Sequence, residues 1–141
     1  MKKVKIWVQL LFAVFLFSGC VYAANTEKPL VRVVTKIHIS YENGPIHTEH
    51  TFTREDKLQK FLNYLRNIRP YGKPKQDPET VQGSIYRITV YHSDGYQKRY
   101  LQKADLFMKI EDGEWKIIDS GKAKALGDLL GRTESDVNGA D

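Results

Sequence analysis

One cysteine among 141 residues leaves no material for a disulfide framework, a cysteine-based zinc site or a CxxC redox centre within one chain. Catalytic signatures are missing as well: there is no G-x-S-x-G elbow, no P-loop and no G-x-G-x-x-G turn. The single cysteine falls in the first 23 residues, so no Cys-His pair exists beyond them. Adjacent carboxylates occur at Glu55-Asp56 and Glu111-Asp112, but the first pair begins a helix pattern and the second flanks a turn. Neither faces another acid across a hollow, as general acid–base work requires. No cofactor motif is present, and the expectation is a protein that is not an enzyme. With 41% hydrophobic and 28% charged residues, wholesale disorder and collagen-like repeats are excluded, and the length suits one small domain.

An apolar run long enough to span a bilayer is also lacking. The run from Ile6 to Phe17, interrupted only by Gln9, falls short of the ~20 residues a spanning helix needs. It follows Lys2, Lys3 and Lys5 and precedes the small-residue stretch Ser18-Gly19-Cys20-Val21-Tyr22-Ala23-Ala24. A positive stub, a short apolar core and a small-residue exit are the three parts of a secretory signal. Two exits compete. Val21-Tyr22-Ala23 permits ordinary cleavage before Ala24, whereas Phe17-Ser18-Gly19-Cys20 resembles a bacterial lipobox, with Phe17 in place of the usual leucine. The only cysteine stands where lipid would be attached, and this favours a lipoprotein anchored through Cys20. The expected organisation is a signal peptide over 1–19 (or 1–23), a tether over 20–29, one domain over 30–131 and a flexible tail over 132–141. Three of the 22 basic residues precede Cys20, leaving 19 against 17 acids and a formal +2. The basic balance of the whole chain is therefore no nucleic-acid signature.

In the remainder, Ile37, Ile39 and Tyr41 alternate with Lys36, His38 and Ser40 before Asn43-Gly44, and Ile46 to Thr51 returns as a second strand. Leu58, Phe61, Leu62, Leu65 and Ile68 make one apolar stripe on a helix over about 54–68, with Thr53 as its expected cap. A loop over 69–83 follows, containing Pro70, Gly72, Pro74, Pro78 and Gly83. Asp94-Gly95 and Asp112-Gly113 mark two further hairpins of two-residue type. That register puts Tyr86, Ile88, Val90 and Leu101 on one face and Arg87, Tyr91, Lys98, Tyr100 and Gln102 on the other. In the last hairpin it groups Leu106, Met108, Ile110, Trp115 and Ile117. A final helix carrying Ala125, Leu126, Leu129 and Leu130 is expected to stop before Gly131. The fold class is α+β, β-β-α-β-β-β-β-α, a single twisted antiparallel sheet of about six strands with two helices on its apolar face.

Two candidate sites follow. Arg87, Tyr91, Lys98 and Tyr100 on the wet face, with Tyr71 in the long loop, would form a flat aromatic and cationic binding surface. The same residue types also make ordinary half-exposed strands. His38, His47 and Glu49 would gather on the first hairpin, where two imidazoles and a carboxylate can hold a metal ion for hydrolysis, although their spacing matches no zinc motif. Outside the cytoplasm the partners expected are an envelope protein, a wall polymer or a carbohydrate, with the membrane reached by the lipid anchor. The function expected is a non-enzymatic binding or accessory module of the cell envelope, the alternatives being an inhibitor of a secreted enzyme or the metal-dependent hydrolase.

Arg66-Asn67-Ile68-Arg69-Pro70-Tyr71-Gly72, Tyr86-Arg87-Ile88-Thr89-Val90 with Ser93-Asp94-Gly95, Gln102-Lys103-Ala104-Asp105 and Gly113-Glu114-Trp115-Lys116-Ile117-Ile118-Asp119 resemble stretches of small exported or lipid-anchored domains of unknown function from Firmicutes of the clostridial kind. The resemblance covers about residues 30–131. It implies export and a sheet-plus-helix fold, and it brings no activity and no catalytic residues.

Overall fold

Two-residue alternation of apolar and polar side chains builds the strands, and a single apolar stripe builds the long helix. The computed structural model of the chain describes residues 32–137, with side chains as far as Gly131. The expected signal peptide (1–19 or 1–23), Cys20, the tether 20–29 and the last four residues of the tail lie outside the described residues. Strands β1 (Val34–Asn43), β2 (Ile46–Phe52), β3 (Ile85–His92), β4 (Gln97–Lys103), β5 (Phe107–Ile110) and β6 (Lys116–Ile117) form an open antiparallel sheet in the order β2-β1-β3-β4-β5-β6. Helix α1 (Glu55–Ile68) follows β2, and a short α2 (Ser120–Ala123) leads into α3 (Ala125–Val137) after β6. This is the expected α+β order, with the last helix divided at Lys124.

The helices pack on one face of the sheet. Ile37 and Ile39 of β1, Tyr86, Ile88 and Val90 of β3, and Met108 of β5 meet Leu58, Phe61, Tyr64 and Ile68 of α1 and Leu126 and Leu130 of α3. All are buried. Leu62 and Leu65, expected on the α1 stripe, are half-buried beside it, and Tyr64 takes a place in the core. Arg54, not Thr53, precedes the first turn, and it makes no side-chain cap. Asp119 caps α2, accepting from the Lys122 N–H at 3.0 Å. Helix α3 continues through Gly131 to Val137, because a lone glycine costs a helix only about 1 kcal/mol and no proline follows.

The hairpin loops decide which side chains join this core. In the first, Gly44 and Pro45 form the loop and Asn43 pairs with Ile46. Gly44 has φ +57° and proline fixes a negative φ, the signs of a II′ turn. The expected loop was Asn43-Gly44, but proline has no N–H to give to the strand pairing, and the turn moves one residue along. Opposite residues shift by two, so each keeps its face.

The β3–β4 loop differs by an odd number. Three residues, Ser93, Asp94 and Gly95, separate the paired His92 and Tyr96: the His92 N–H donates to the Tyr96 carbonyl at 2.9 Å and the Gly95 N–H to the His92 carbonyl at 3.0 Å. The Asp94 carboxylate accepts from the Tyr96 N–H at 2.9 Å, and Gly95 has φ +85°. A one-residue slip turns every β4 side chain over. Tyr86 therefore opposes Gln102, Ile88 opposes Tyr100 and Val90 opposes Lys98. Gln102, Tyr100 and Lys98 face the helices, while Leu101 and Arg99 face away, the reverse of the expected assignment. The β5–β6 loop, five residues with Glu111 at φ +51°, makes the same kind of correction. Ile117 joins Phe107 on the outer face and Lys116 joins Met108 on the other, so the expected grouping of Met108 with Ile117 does not form.

Gln102 is fully buried. The Tyr64 hydroxyl donates to its side-chain oxygen, and its NH₂ donates to Asp105 at 3.0 Å and to the Ala123 carbonyl at 3.4 Å. One polar group thus ties α1, β4, the β4–β5 turn and α2 together. Leaving any of these groups buried and unpaired would cost about 1–3 kcal/mol.

A Gln102→Ala chain is expected to lose about 2–4 kcal/mol of unfolding free energy in urea, from the cavity and from the lost hydrogen bonds to Tyr64 and Asp105. A loss below about 0.5 kcal/mol is what a solvated surface position would give.

Candidate functional site

The face away from the helices is built from alternate residues of every strand. Across it run two rows in register: Ser40, Arg87, Leu101 and Lys109, then His38, Thr89 and Arg99. Strand spacing of about 4.8 Å places Arg87 and Lys109 about 10 Å apart at the backbone, with Arg99 one row on between them. Arg87, Thr89, Arg99, Leu101, Lys109, Glu111 and Asp112 line a hollow of about 320 Å³.

Carboxylates hold both guanidinium groups. Arg87 Nη1 lies 2.9 Å from Glu42 Oε1. Arg99 Nε lies 3.6 Å from Glu111 Oε2, while Glu111 Oε1 accepts from the Arg99 backbone N–H at 3.0 Å. The hydrogen bond from Arg87 lowers the Glu42 carboxyl below its ordinary value against opposing desolvation, and the charges of Arg87 and His47 lower it further. Three cations stand above a floor of Thr89 and Leu101, and they share the hollow with the carboxylates of Glu111 and Asp112.

The residues expected to bind do not share one surface. Arg87 and Tyr91 lie on the outer face, where the Lys36 ammonium sits 4.0 Å from the centre of the Tyr91 ring. Lys98 and Tyr100 lie on the opposite face, Tyr100 packed against the core and Lys98 5.4 Å from its ring. The three-residue loop is the cause. Tyr71 is 57% exposed, but its backbone exchanges two 2.9 Å hydrogen bonds with Ile117 and extends the β6 edge. The long loop is tied down a second time at Glu79. Lys103 Nζ donates to the Glu79 carbonyl at 3.0 Å, and the Trp115 indole N–H donates to the Glu79 carboxylate at 2.9 Å. Gly83 fits only because it lacks a side chain, since a Cβ there would come within 2.8 Å of the Ala104 Cβ.

His38, His47 and Glu49 do gather on the outer face of the first hairpin. His47 Nε2 is 3.3 Å and His38 Nε2 4.0 Å from Glu49, and Glu42 lies 3.6 Å from His47 Nδ1. The register differs from the expected one, His38 opposing Thr51 and bonding its hydroxyl at 3.0 Å. His47 presents each ring nitrogen to a different carboxylate, so the donors face one another rather than a common point. Among the described residues, no group of three or more histidine, cysteine or acidic side chains is disposed to hold a metal ion.

Arg99 and Lys109 are the site residues that sequence patterning missed. Leu101 is the only aliphatic residue of β4, and hydropathy alone assigns it to the core in place of Gln102. A second hollow, of about 770 Å³, lies between α1 and the α2–α3 segment and is bordered by Asn67, Arg69, Lys122 and Asp128. Its charged groups are two cations and one acid, Arg69, Lys122 and Asp128, contributed by separate segments and not by a row of paired strands. No protein-family model, curated protein or solved structure matches the chain.

Because Arg87 holds the Glu42 carboxylate, the stabilisation from that pair is present above the ordinary carboxyl value of 4.5 and is lost as pH falls through the lowered native value. In an NMR titration Glu42 is expected to titrate below 4.5, and in an Arg87→Ala chain its midpoint is expected to return upward. An unchanged midpoint would remove Arg87 as the cause.

Proposed function

We propose that this chain is a non-enzymatic binding module, held outside the cytoplasm by lipid on Cys20, that takes an anionic polymer of the cell envelope on the outer face of its sheet. The observation that carries the reading is the hollow over β3, β4 and β5, where Arg87 and Lys109 share one cross-strand row and Arg99 stands on the next, three cations against the two lining acids Glu111 and Asp112. Cations fixed on adjacent strands match charges repeated along an extended chain, and two of them are held in position by carboxylates before any ligand arrives. Export is supported by the lysine-led apolar leader ending in Ser-Gly-Cys.

The test is retention of the mature protein on immobilised poly(glycerol phosphate) against a neutral dextran. Binding to the anionic polymer is expected to weaken with added salt and to fall about tenfold in an Arg99→Gln/Lys109→Gln chain, each lost charge contact being worth about 0.5–1 kcal/mol. Tyr91→Ala is expected to weaken it less. Equal retention on dextran, or unchanged affinity in the double variant, would overturn the proposal. Stoichiometric inhibition of a secreted enzyme, with no polymer retention, would assign the inhibitor role instead.

A further inference from the structure

The corner of the sheet where β1 begins beside the β3–β4 loop combines exposed apolar and aromatic groups with basic ones. Val33, just ahead of β1, is 55% exposed, and Tyr96, at the start of the return from the β3–β4 loop, is 38% exposed. Basic side chains surround them. The Arg32 guanidinium lies 4.2 Å from the Tyr96 ring centre and bonds the Asp94 carboxylate at 2.9 Å, which neutralises the acid of the β3–β4 loop. Lys36 extends over Tyr91 on the outer face, and Lys98 over Tyr100 on the other. The corner is held firmly: the Ser93 N–H donates to the Val33 carbonyl at 2.8 Å, joining the approach to β1 to the loop. At the other end of β1, Ile46 is just as exposed (54%), but the charged groups of that hairpin are Glu42, paired with Arg87, and Glu49 beside His47.

We infer that this corner, formed by Arg32, Val33, Lys36, Tyr96 and Lys98, docks on the anionic headgroups of a membrane and orients the domain there. The inference rests on the anchored reading given above, and the position of the chain outside the structure makes it specific. Twelve peptide steps separate Cys20 from Arg32, a reach of at most about 40 Å, and they deliver the domain to the bilayer by this corner. Tyrosine, with an apolar ring and a polar tip, partitions to the headgroup layer, and lysine and arginine stems reach anionic lipid from just above it. The other acids of the same end lie to either side, Glu55 and Asp56 in the first turn of α1 and Glu111, Asp112 and Glu114 in the β5–β6 loop. Contact is therefore through the β1–β3–β4 corner and not along the whole end. In that pose the outer face stands away from the bilayer at its edge, open to a polymer.

The test uses the mature full chain on vesicles, with one new cysteine bearing an environment-sensitive fluorophore. Val33→Cys reports the corner and Ile46→Cys, equally exposed at the far end, is its control. On vesicles of equal parts phosphatidylglycerol and phosphatidylcholine, emission from position 33 is expected to shift to the blue while position 46 is unmoved. On pure phosphatidylcholine neither is expected to shift. Lys36→Glu/Lys98→Glu, with both substitutions outside the core and folding verified by circular dichroism, is expected to abolish the shift. Equal emission at positions 33 and 46, or a shift indifferent to lipid charge, would overturn the docking. Intact mass of the mature N-terminus distinguishes failure of the underlying reading: a chain beginning at Ala24 without lipid removes the anchor, and the spectral outcome on added vesicles then judges the corner by itself.

Discussion

A loop of three residues, Ser93-Asp94-Gly95, is the constraint on which the rest of this structure depends. Side chains of a strand alternate between faces, so an odd loop and an even loop give opposite molecules from the same strands. Here the odd loop sends Gln102 into the core and Arg99 out of it. The core accepts an amide because Tyr64, Asp105 and Ala123 meet it with hydrogen bonds from three different elements. Burial of Gln102 without those partners would be strongly unfavourable. Register and polar network therefore support each other.

The same choice determines what the outer face offers. With Leu101 outward, Arg87 and Lys109 flank an apolar floor, and Arg99 takes the neighbouring row beside Thr89. Glu42 and Glu111 hold the two guanidinium groups without covering them. An even loop would have placed Tyr100 and Lys98 there, a softer aromatic surface, and turned Arg99 toward the helices, where a charge without a partner is costly. The anionic-polymer proposal and the membrane-docking inference use different parts of this arrangement, the first the middle of the sheet and the second the corner where the chain enters it.

Much of the fold was legible in the amino-acid sequence because hydrophobic periodicity has a local origin. The stripe of Leu58, Phe61 and Ile68 and the alternation of Ile37 and Ile39 each identify a buried face without knowledge of a neighbour. Even the misplaced turn at Gly44-Pro45 did no damage, since its error was even and the faces of β1 and β2 survived. Loop parity was not legible. An Asp-Gly pair fits a two-residue turn, and it equally fits a three-residue loop ending in glycine, where Asp94 caps the following N–H. In β4 hydropathy points the wrong way, because its one aliphatic residue faces water and its amide is buried. Only the partner of Gln102, a tyrosine 38 residues earlier, resolves the choice, and such a contact leaves no trace in local pattern. The candidate site inherited that error: Arg87 and Tyr91 belong to the outer face, Lys98 and Tyr100 to the other.

Nuclear Overhauser contacts of the Gln102 side-chain amide in the full chain test the register most directly. The account predicts contacts from its NH₂ protons to the Tyr64 ring, with slow exchange against water. Fast exchange together with contacts to Arg87 would place Gln102 on the outer face and contradict the assignment of both faces of the sheet.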